Sequence, residues 1–453
     1  MAARSRRPHL GAPSTRSPAA RRVERGPQIR DVRVSPLGTL PEVTFYDPSD
    51  PRWVVDPMPH FDELREEAPI HRAPDGYWVL STYADCLSVL RDRRASADSL
   101  HVDPERAPRG FAAARRADLS QSIRAGGPDP RPFLFRDPPD HGRLRGLVQR
   151  AFTPRRVAEL EPFIEAEATR LLDAALAKGS CDMVGALAWP LPVAVISELL
   201  GIPGDDQEEF RATSGVLARS LDPEFLLPPD AVEARNEAIA HFGLYFSGLF
   251  ESRRRDPGDD LLSALVAAHD GEDRLSHAEL LSTAILLLVA GHETTVNLLS
   301  GGMLALARDE KAQAAWRWDR TLDATAPDEL LRITSPVQLT GRALLEDFDV
   351  GDETIEAGSF CLLLLGGANR DPAAFDDPTN LHLDRHPNPH LGFGFGLHHC
   401  LGAPLARLEA RVALRMLLER TAGFEVTDEG AVRYRPNLVL RGLERLPITL
   451  VPS

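Results

Sequence analysis

Lysine is almost absent from this chain of 453 residues, and acidic side chains dominate its charge. Only Lys178 and Lys311 are lysine, so 52 − 2 = 50 of the basic residues are arginine, a bias that we ascribe to a GC-rich genome. The net charge of -15 argues against binding of nucleic acid through its phosphates. With 43% apolar and 26% charged residues, the composition fits a globular protein and excludes a collagen, a coiled coil and a wholly disordered chain.

Cysteine and long apolar runs are equally scarce. The four cysteines are Cys86, Cys181, Cys361 and Cys400. They form no C-x-x-C pair, which argues against a zinc ribbon or a redox dithiol, and a chain of this length needs no disulfide. The longest apolar runs, about 283–290 and 360–365, fall well short of the ~20 residues that cross a bilayer. We therefore expect reduced thiols, a cytoplasmic protein and no membrane anchor.

The beginning of the chain differs from the rest. Residues 1–34 hold nine Arg and two acids and no aromatic residue, so this stretch has a charge of 9 − 2 = +7 and little apolar surface to bury. We interpret residues 1–40 as a disordered Arg/Pro-rich tail and residues 41–453 as a single domain. A transit peptide or a misassigned start codon are the alternatives for the tail.

Apolar residues recur with helical spacing through most of the chain. The predicted helices are 82–92, 140–152, 155–178, 190–200, 231–254, 259–269 and 277–307. The last one, at roughly 30 residues, would be about 45 Å long and would cross a whole domain. Short strands are predicted at 77–80, 337–350, 359–365 and 446–451, and a surface loop at 93–132. The pattern predicts a mainly α fold with a minor β part.

The most informative stretch is HLGFGFGLHHCLGAPLARLEA, residues 390–410. Three glycines alternate with Phe393 and Phe395, so the backbone can pass close to a flat ligand. Cys400 comes next, just before a predicted helical run. Amide groups and the helix dipole at such a place favour the thiolate, which can ligate a haem iron. The alternative, a glycine-rich turn with a structural cysteine, is favoured for Cys86, Cys181 and Cys361 but not here.

The pattern F-x-x-G-x-H-x-C-x-G, formed by Phe393, Gly396, His398, Cys400 and Gly402, resembles the haem-binding signature of cytochrome P-450, the haem-thiolate monooxygenase family. The resemblance implies the cytochrome P-450 fold, with haem b between a long central helix and the helix after the Cys loop. It implies that Cys400 is the axial thiolate ligand of the iron and that Phe393, His398 and Gly402 contact the haem.

A second matching stretch, LLLVAGHETTVNLLS, occupies residues 286–300 in the longest predicted helix. Glu293 and Thr294 form an acid–hydroxyl pair, and loosening of the helix would let the hydroxyl reach a cavity instead of bonding the preceding turn. In the family this pair delivers protons during oxygen activation. A zinc helix of the H-E-x-x-H type is excluded because Val296 stands where the second histidine would be.

Two further stretches carry charged residues with matching spacing. In DELLRITSPVQLTGR, residues 328–342, Glu329 and Arg332 are three apart and can pair on one helix face. The alternative is a solvated pair worth only tenths of a kcal/mol. The resemblance implies instead a buried group with Arg385 that fixes the segment leading to the Cys loop and is needed for haem incorporation.

The other stretch, DPPDHGRLRGLVQRAFTPRRV, covers residues 137–157. The resemblance implies that His141 and Arg145, together with Arg342 and His398, hold the two haem propionates, because buried carboxylates need cationic partners. Considered one at a time, each of these four residues would be interpreted as a charged residue on the surface. Arg143 is expected to face elsewhere.

By their positions in the family pattern, Val289, Ala290 and Val337 are expected to face the substrate. Core packing is the alternative for each of them. Their apolar character indicates a lipophilic substrate such as a terpenoid, steroid, fatty acid or polyketide. The segment 93–132 is expected to supply part of the pocket wall.

The resemblance implies a monooxygenase that inserts one atom of O₂ into a C–H bond, as hydroxylation or epoxidation. Electrons would come from NAD(P)H through a ferredoxin reductase and a ferredoxin, and Arg145 and Arg407 are candidates to meet an acidic ferredoxin. We expect a monomer. Two alternatives remain open: a peroxide-dependent or non-oxygenating haem-thiolate enzyme, and a haem sensor without turnover. One departure from the family pattern, Trp316 and Trp318, leaves the local helix packing open.

Overall fold

The structure is a computed structural model. It describes residues 46–47, 50, 52–109, 119–123, 125, 129–204, 207–219, 221–222, 227, 229–268 and 275–452. The predicted tail, residues 1–40, lies outside this part of the chain. The described residues belong to one compact unit, Val43–Ser453.

Helices make up most of the described chain, which confirms the mainly α prediction. They are α1 (Arg52–Val55), α2 (Pro57–Glu67), α3 (Tyr83–Arg91), α4 (Asp140–Ala151), α5 (Pro154–Glu159), α6 (Glu161–Leu176), α7 (Pro190–Leu200), α8 (Gln207–Arg219), α9 (Pro229–Arg255), α10 (Leu261–Ala267), α11 (His277–Ala307), α12 (Glu310–Trp318), α13 (Ala326–Thr334), α14 (Leu365–Ala368) and α15 (Ala403–Arg420). The helix predicted over 155–178 is two helices, because Pro162 lacks the N–H that a continuous helix needs and starts α6 instead.

The central helix α11 organises the core. It begins at a capping box, in which the Ser276 side chain accepts from the Glu279 backbone N–H and the Glu279 carboxylate accepts from the Ser276 N–H. It packs against α7, α8, α13 and α15. By length and composition it is the one described helix that could cross a membrane, but 61% of its most apolar window is buried inside the protein. Its apolar surface therefore forms the core between helices.

Two sheets flank the helices. The strands are β1 (Ile70–Arg72), β2 (Trp78–Leu80), β3 (Ala95–Ser96), β4 (Ser180–Asp182), β5 (Thr340–Leu344), β6 (Phe348–Val350), β7 (Glu353–Ile355), β8 (Phe360–Leu363), β9 (Thr421–Val426), β10 (Arg433–Tyr434), β11 (Leu443–Arg445) and β12 (Pro447–Pro452). One sheet has the order β1-β2-β8-β5-β3, the other β4-β12-β9, and β6-β7 and β10-β11 are hairpins. The segment predicted as a loop, 93–132, includes the short strand β3 and a 3₁₀ turn at Ser99–His101.

The two neighbouring tryptophans of α12 have different environments. Trp316 is fully buried, and its indole N–H donates to Asp323 at 2.8 Å. Trp318 is 84% exposed. Because residues two apart on a helix point in different directions, one ring packs in the core while the other faces solvent.

A buried ion cluster fixes the approach to the Cys loop. The Glu329 carboxylate accepts from Arg332 Nε and Nη2 at 2.8 and 2.7 Å, and from Arg385 Nε at 3.0 Å. Arg332 also donates to the carbonyls of Asn369 and Pro378. The cluster therefore joins α13 to the segment that follows α14 and leads to the Cys loop, as the sequence predicts.

Replacement of Glu329 by alanine is expected to lower the free energy of unfolding by about 3–5 kcal/mol, because it strips the guanidinium groups of Arg332 and Arg385 of their buried countercharge. Urea unfolding at pH 7 measures this loss. The matched control is Glu251→Ala, which breaks an exposed i,i+3 pair with Arg254 and should cost less than about 1 kcal/mol. Equal losses in the two variants would contradict the structural role of the cluster.

Candidate active site

A cavity of about 1140 Å³ lies between α11 and the Cys loop. Ala290, Gly291 and Thr294 line it from α11, and Phe393 and Cys400 line it from the opposite side. Pockets for small ligands span roughly 300–1,000 Å³. The cavity therefore has room for a large flat group together with a second molecule.

The backbone of the Cys loop is held in an unusual shape. Gly394 and Gly396 have φ angles of +68° and +67°, a left-handed conformation that favours glycine. A Cβ atom on Gly396 would also come within 2.8 Å of the Leu90 carbonyl oxygen. The Cys400 N–H donates to the Phe393 carbonyl at 2.8 Å, which closes the loop just before α15 begins. These contacts place the Cys400 thiol on the cavity wall.

The charge state of Cys400 differs from the expectation based on its place before a helix. Burial raises the pKa of Cys400, and the backbone N–H groups of Gly402 and Ala403 and the nearby Arg145 offset this effect only in part. A metal ion at the sulfur would supply the missing stabilisation, because coordination deprotonates a thiol outright.

Two arginines and two histidines gather at one edge of the cavity. His141 and His398 stack with ring centroids 4.2 Å apart, and Arg145 and Arg342 line the cavity beside them. Arg342 donates to the Thr340 hydroxyl and to the Gly341 carbonyl, and none of the four pairs with a carboxylate in the described part of the chain. The cluster is thus an excess of positive charge facing a cavity.

The pKa values of these residues reflect the excess of positive charge. Burial lowers the pKa of Arg342 to about 10. Burial, and then the charges of Arg342 and His141, lower the pKa of His398 to about 3. The buried His141 Nε2 has no hydrogen-bond partner. An anionic ligand such as a pair of carboxylates would relieve both the repulsion and the unsatisfied nitrogen.

The acid–hydroxyl pair of α11 is divided between two environments. Thr294 lines the cavity, and its hydroxyl donates to the Ala290 carbonyl at 2.8 Å. The expectation that this hydroxyl avoids the preceding turn is therefore corrected. Glu293 is buried outside the cavity lining, and its Oε2 accepts from Arg435 Nη1 at 2.7 Å. Burial by itself would raise the pKa of Glu293, but His292 and Arg435 together lower it.

Of the three residues predicted to face a substrate, two line the cavity. Ala290 and Val337 line the cavity. Val289 is buried in the core and does not line it. On α11 the lining follows the helix face of residues 286, 290 and 294, four apart, and position 289 is turned about 100° from position 290. From the predicted loop 93–132, Ala97, Ser99 and Leu119 line the cavity, which also includes Arg131.

Several lining residues were missed because no local motif marks them. Leu286 and Leu287 of α11 and Val439 and Leu440 near the C-terminus add apolar wall. Their helical or strand pattern is the same as that of core residues, so the sequence offers no signal that separates the two.

Two buried acids at the cavity were also missed. Asp222 accepts from the backbone N–H groups of Leu438 and Val439 at 3.1 and 2.9 Å, and burial raises the pKa of Asp222 to about 6. Neither carboxyl oxygen of Glu409 has a hydrogen-bond partner, and burial raises the pKa of Glu409 well above its usual range. Glu409 is therefore a neutral acid group in this cavity wall.

The residues present fit a haem group. The cavity offers a thiol, a threonine and, at one edge, two arginines and two histidines, one of them with an unpartnered ring nitrogen; these would serve as an iron ligand, a polar group near bound O₂ and partners for propionates. Phe393 lies beside the thiol with the Arg407 guanidinium 4.5 Å from its ring centroid. Arg407 also donates to Asp328 at 2.9 Å and is engaged on both sides.

Comparison with known proteins finds the cytochrome P450 family model at residues 226–319 and 322–439. The chain is 41% identical over 405 residues to the cytochrome P450 monooxygenase PikC of Streptomyces venezuelae, covering 87% of this chain and 91% of PikC. It is 37% identical over 418 residues to the polyketide biosynthesis cytochrome P450 PksS of Bacillus subtilis, covering 90% of this chain and 99% of PksS.

Solved structures show the same fold. The structure of PksS matches with a TM-score of 0.79 at 38% identity, covering 90% of this chain and all of that one. The structure of P450BioI with a hexadec-9Z-enoic acid ligated acyl carrier protein matches with a TM-score of 0.78 at 36% identity, covering 87% of this chain and 98% of that one. With the thiol loop, the threonine helix and the cationic edge in one cavity, these matches establish that the chain belongs to the cytochrome P450 family.

Proposed function

We propose that this protein is a monooxygenase that hydroxylates or epoxidises a lipophilic small molecule at haem b bound through Cys400. The observation that carries the proposal is the cavity that the Cys400 thiol and Thr294 both line, together with Arg145 and Arg342, neither of which forms an ion pair with a carboxylate in the described part of the chain. When bound, haem supplies the redox chemistry that activates O₂.

Each part of the chain has a distinct task in this proposal. The thiolate of Cys400 ligates the iron, and Phe393 and Gly402 pack beside it. His141, Arg145, Arg342 and His398 hold the propionates.

On the α11 side of the cavity, the Thr294 hydroxyl would accept a hydrogen bond, and Glu293 behind it would relay protons. An acid and an alcohol linked by water can hand over protons one at a time.

The substrate is proposed to be apolar and large. Ala290, Val337, Val439 and Leu440 present aliphatic surface to the cavity. The name of PksS states polyketide biosynthesis, and another relative, from Pseudonocardia autotrophica, is named vitamin D(3) 25-hydroxylase. A polyketide-like or steroid-like compound is therefore the first class to screen, with fatty acyl chains next.

Electrons are proposed to come from NAD(P)H through a ferredoxin reductase and a ferredoxin, with the enzyme acting as a cytoplasmic monomer. Phe395 and Leu397 of the Cys loop are 45% and 43% exposed, so this side of the protein offers a contact surface close to Cys400. Of the two candidate arginines, Arg145 donates to the His399 carbonyl at 2.6 Å and Arg407 is paired with Asp328. The exposed apolar residues are thus the better candidates for the docking contact.

Replacement of Cys400 by alanine is expected to abolish the red-shifted Soret band of the dithionite-reduced protein with carbon monoxide, because the thiolate is the only source of that shift. The absorption spectrum of wild type and variant measures it. Cys181→Ala is the matched control, since Cys181 is a partly buried free cysteine that does not line the cavity. A wild-type band at the position of histidine-ligated haem would overturn the proposed ligand.

Replacement of Thr294 by alanine is expected to lower the product formed per NAD(P)H by about two orders of magnitude, the lower range of what a proton-transfer group contributes. Product and hydrogen peroxide are measured with a converted substrate. Thr283→Ala is the control on the same helix, because Thr283 is buried outside the cavity lining. Full coupling in the Thr294 variant would contradict the proton-delivery role of Thr294. Turnover of the wild type with hydrogen peroxide but not with NAD(P)H would favour a peroxide-dependent enzyme, and no turnover with either would favour a haem sensor.

A further inference from the structure

The acid of α11 is tied to a segment far along the chain. Glu293 is 1% exposed, and Arg435 Nη1 lies 2.7 Å from its Oε2. The other nearby group is His292 on the same helix, whose Nε2 is 3.5 Å from Glu293 Oε1 while its Nδ1 lies 2.6 Å from the Leu288 carbonyl oxygen. No other described residue forms an ion pair with this carboxylate. Arg435 is therefore the closer of two groups that hold the acid outside the cavity lining.

The segment that carries Arg435 also forms part of the cavity wall. Residues 435–442 connect the two strands of the β10-β11 hairpin, and Val439 and Leu440 within them line the cavity. A Cβ atom on Gly442 would overlap the Asn297 side chain, so the end of the segment lies directly against α11. One short stretch thus touches α11 at both ends and the cavity in its middle.

The segment is anchored on its other sides through backbone groups. Asp222 accepts from the N–H groups of Leu438 and Val439, and the Gln338 N–H donates to the Val439 carbonyl at 2.8 Å. The Arg441 N–H donates to the Pro336 carbonyl at 2.9 Å. These hydrogen bonds define the position of Val439 and Leu440, and Arg435 lies only four residues before Val439 on the same backbone.

We propose that Arg435 is a positioning residue for Glu293, and that a ligand pressing on Val439 and Leu440 weakens this ion pair and lets Glu293 take up a proton. The inference rests on the proposed proton-delivery role of Glu293. While the cavity is empty, the ion pair with Arg435 keeps Glu293 charged and outside the cavity lining. When a ligand fills the cavity, the ion pair weakens and no longer holds Glu293 there. Linkage requires the reverse as well, so loss of the ion pair changes ligand affinity.

Infrared spectroscopy of the full-length holoenzyme tests the first half. Arg435→Gln removes the closer cation from a buried carboxylate, so burial prevails and a C=O band of a protonated carboxyl appears at pH 7. The double variant Arg435→Gln/Glu293→Gln lacks this band, which separates it from the bands of Asp222 and Glu409. Arg435→Lys keeps the charge and suppresses the band. Absence of the band in Arg435→Gln would mean that His292 alone holds the charge, and the proposal would fall.

Arg433→Gln is the matched control on the same hairpin. Arg433 is exposed and donates to the backbone carbonyls of Gly430 and Val432, so its loss should leave the infrared spectrum unchanged. A band of equal size in this variant would point to general loosening of the hairpin and would overturn the specific role of Arg435.

Clotrimazole, a bulky imidazole whose binding is verified from the Soret shift, tests the second half. The band is expected to appear in the wild type when clotrimazole is bound and to be present in Arg435→Gln with or without it. A wild-type spectrum that clotrimazole leaves unchanged would overturn the coupling to the cavity wall. The infrared measurement needs no turnover, so a negative result would leave the proposed monooxygenase function untouched. That function is tested separately: a carbon monoxide spectrum of the reduced protein without the thiolate band would contradict it.

Discussion

The carboxylate of Glu329 is the contact on which the geometry of the site depends. It accepts from Arg332, from Arg385 and from the His382 backbone N–H, all in a place closed to water. Arg332 in turn holds the carbonyl of Asn369, whose side chain accepts from the Leu391 N–H at 2.7 Å. The buried carboxylate of Glu329 thus fixes the position at which the chain enters the Cys loop, and with it the position of the Cys400 thiol.

Burial and ion pairing also determine how charge is distributed over the site. The edge that would receive propionates carries cations without a protein carboxylate, so its electrostatic energy is favourable only with an anionic ligand bound. The acid on α11 has the opposite arrangement, because its countercharge is supplied by the chain itself. The cationic edge therefore depends on a ligand for its countercharge, whereas the acid on α11 does not.

Residues within continuous motifs were predicted well, and residues that act across the fold were not. Cys400, Thr294 and the pair Glu329–Arg332 lie in local patterns whose spacing reflects a loop or a helix face. The direction in which Val289 points depends on how α11 is rotated in the core. The apolar pattern of an almost wholly apolar helix does not define this rotation. The partner of Glu293 lies 142 positions away in an irregular segment, and the raised pKa of Cys400 results from burial by the whole fold.

The double use of α11 has an evolutionary consequence. One face of it, with seven residues from Leu286 to Leu298, meets the cavity, and the opposite face packs in the core. Substitutions that alter ligand preference are thus confined, on this helix, to a few positions, since changes elsewhere would cost stability. Diversification is left to the C-terminal hairpin connection and to the segment around Ser99 and Leu119, which line the same cavity from outside the helical core. Such a division lets new substrates be acquired while the oxygen-activating frame is inherited unchanged.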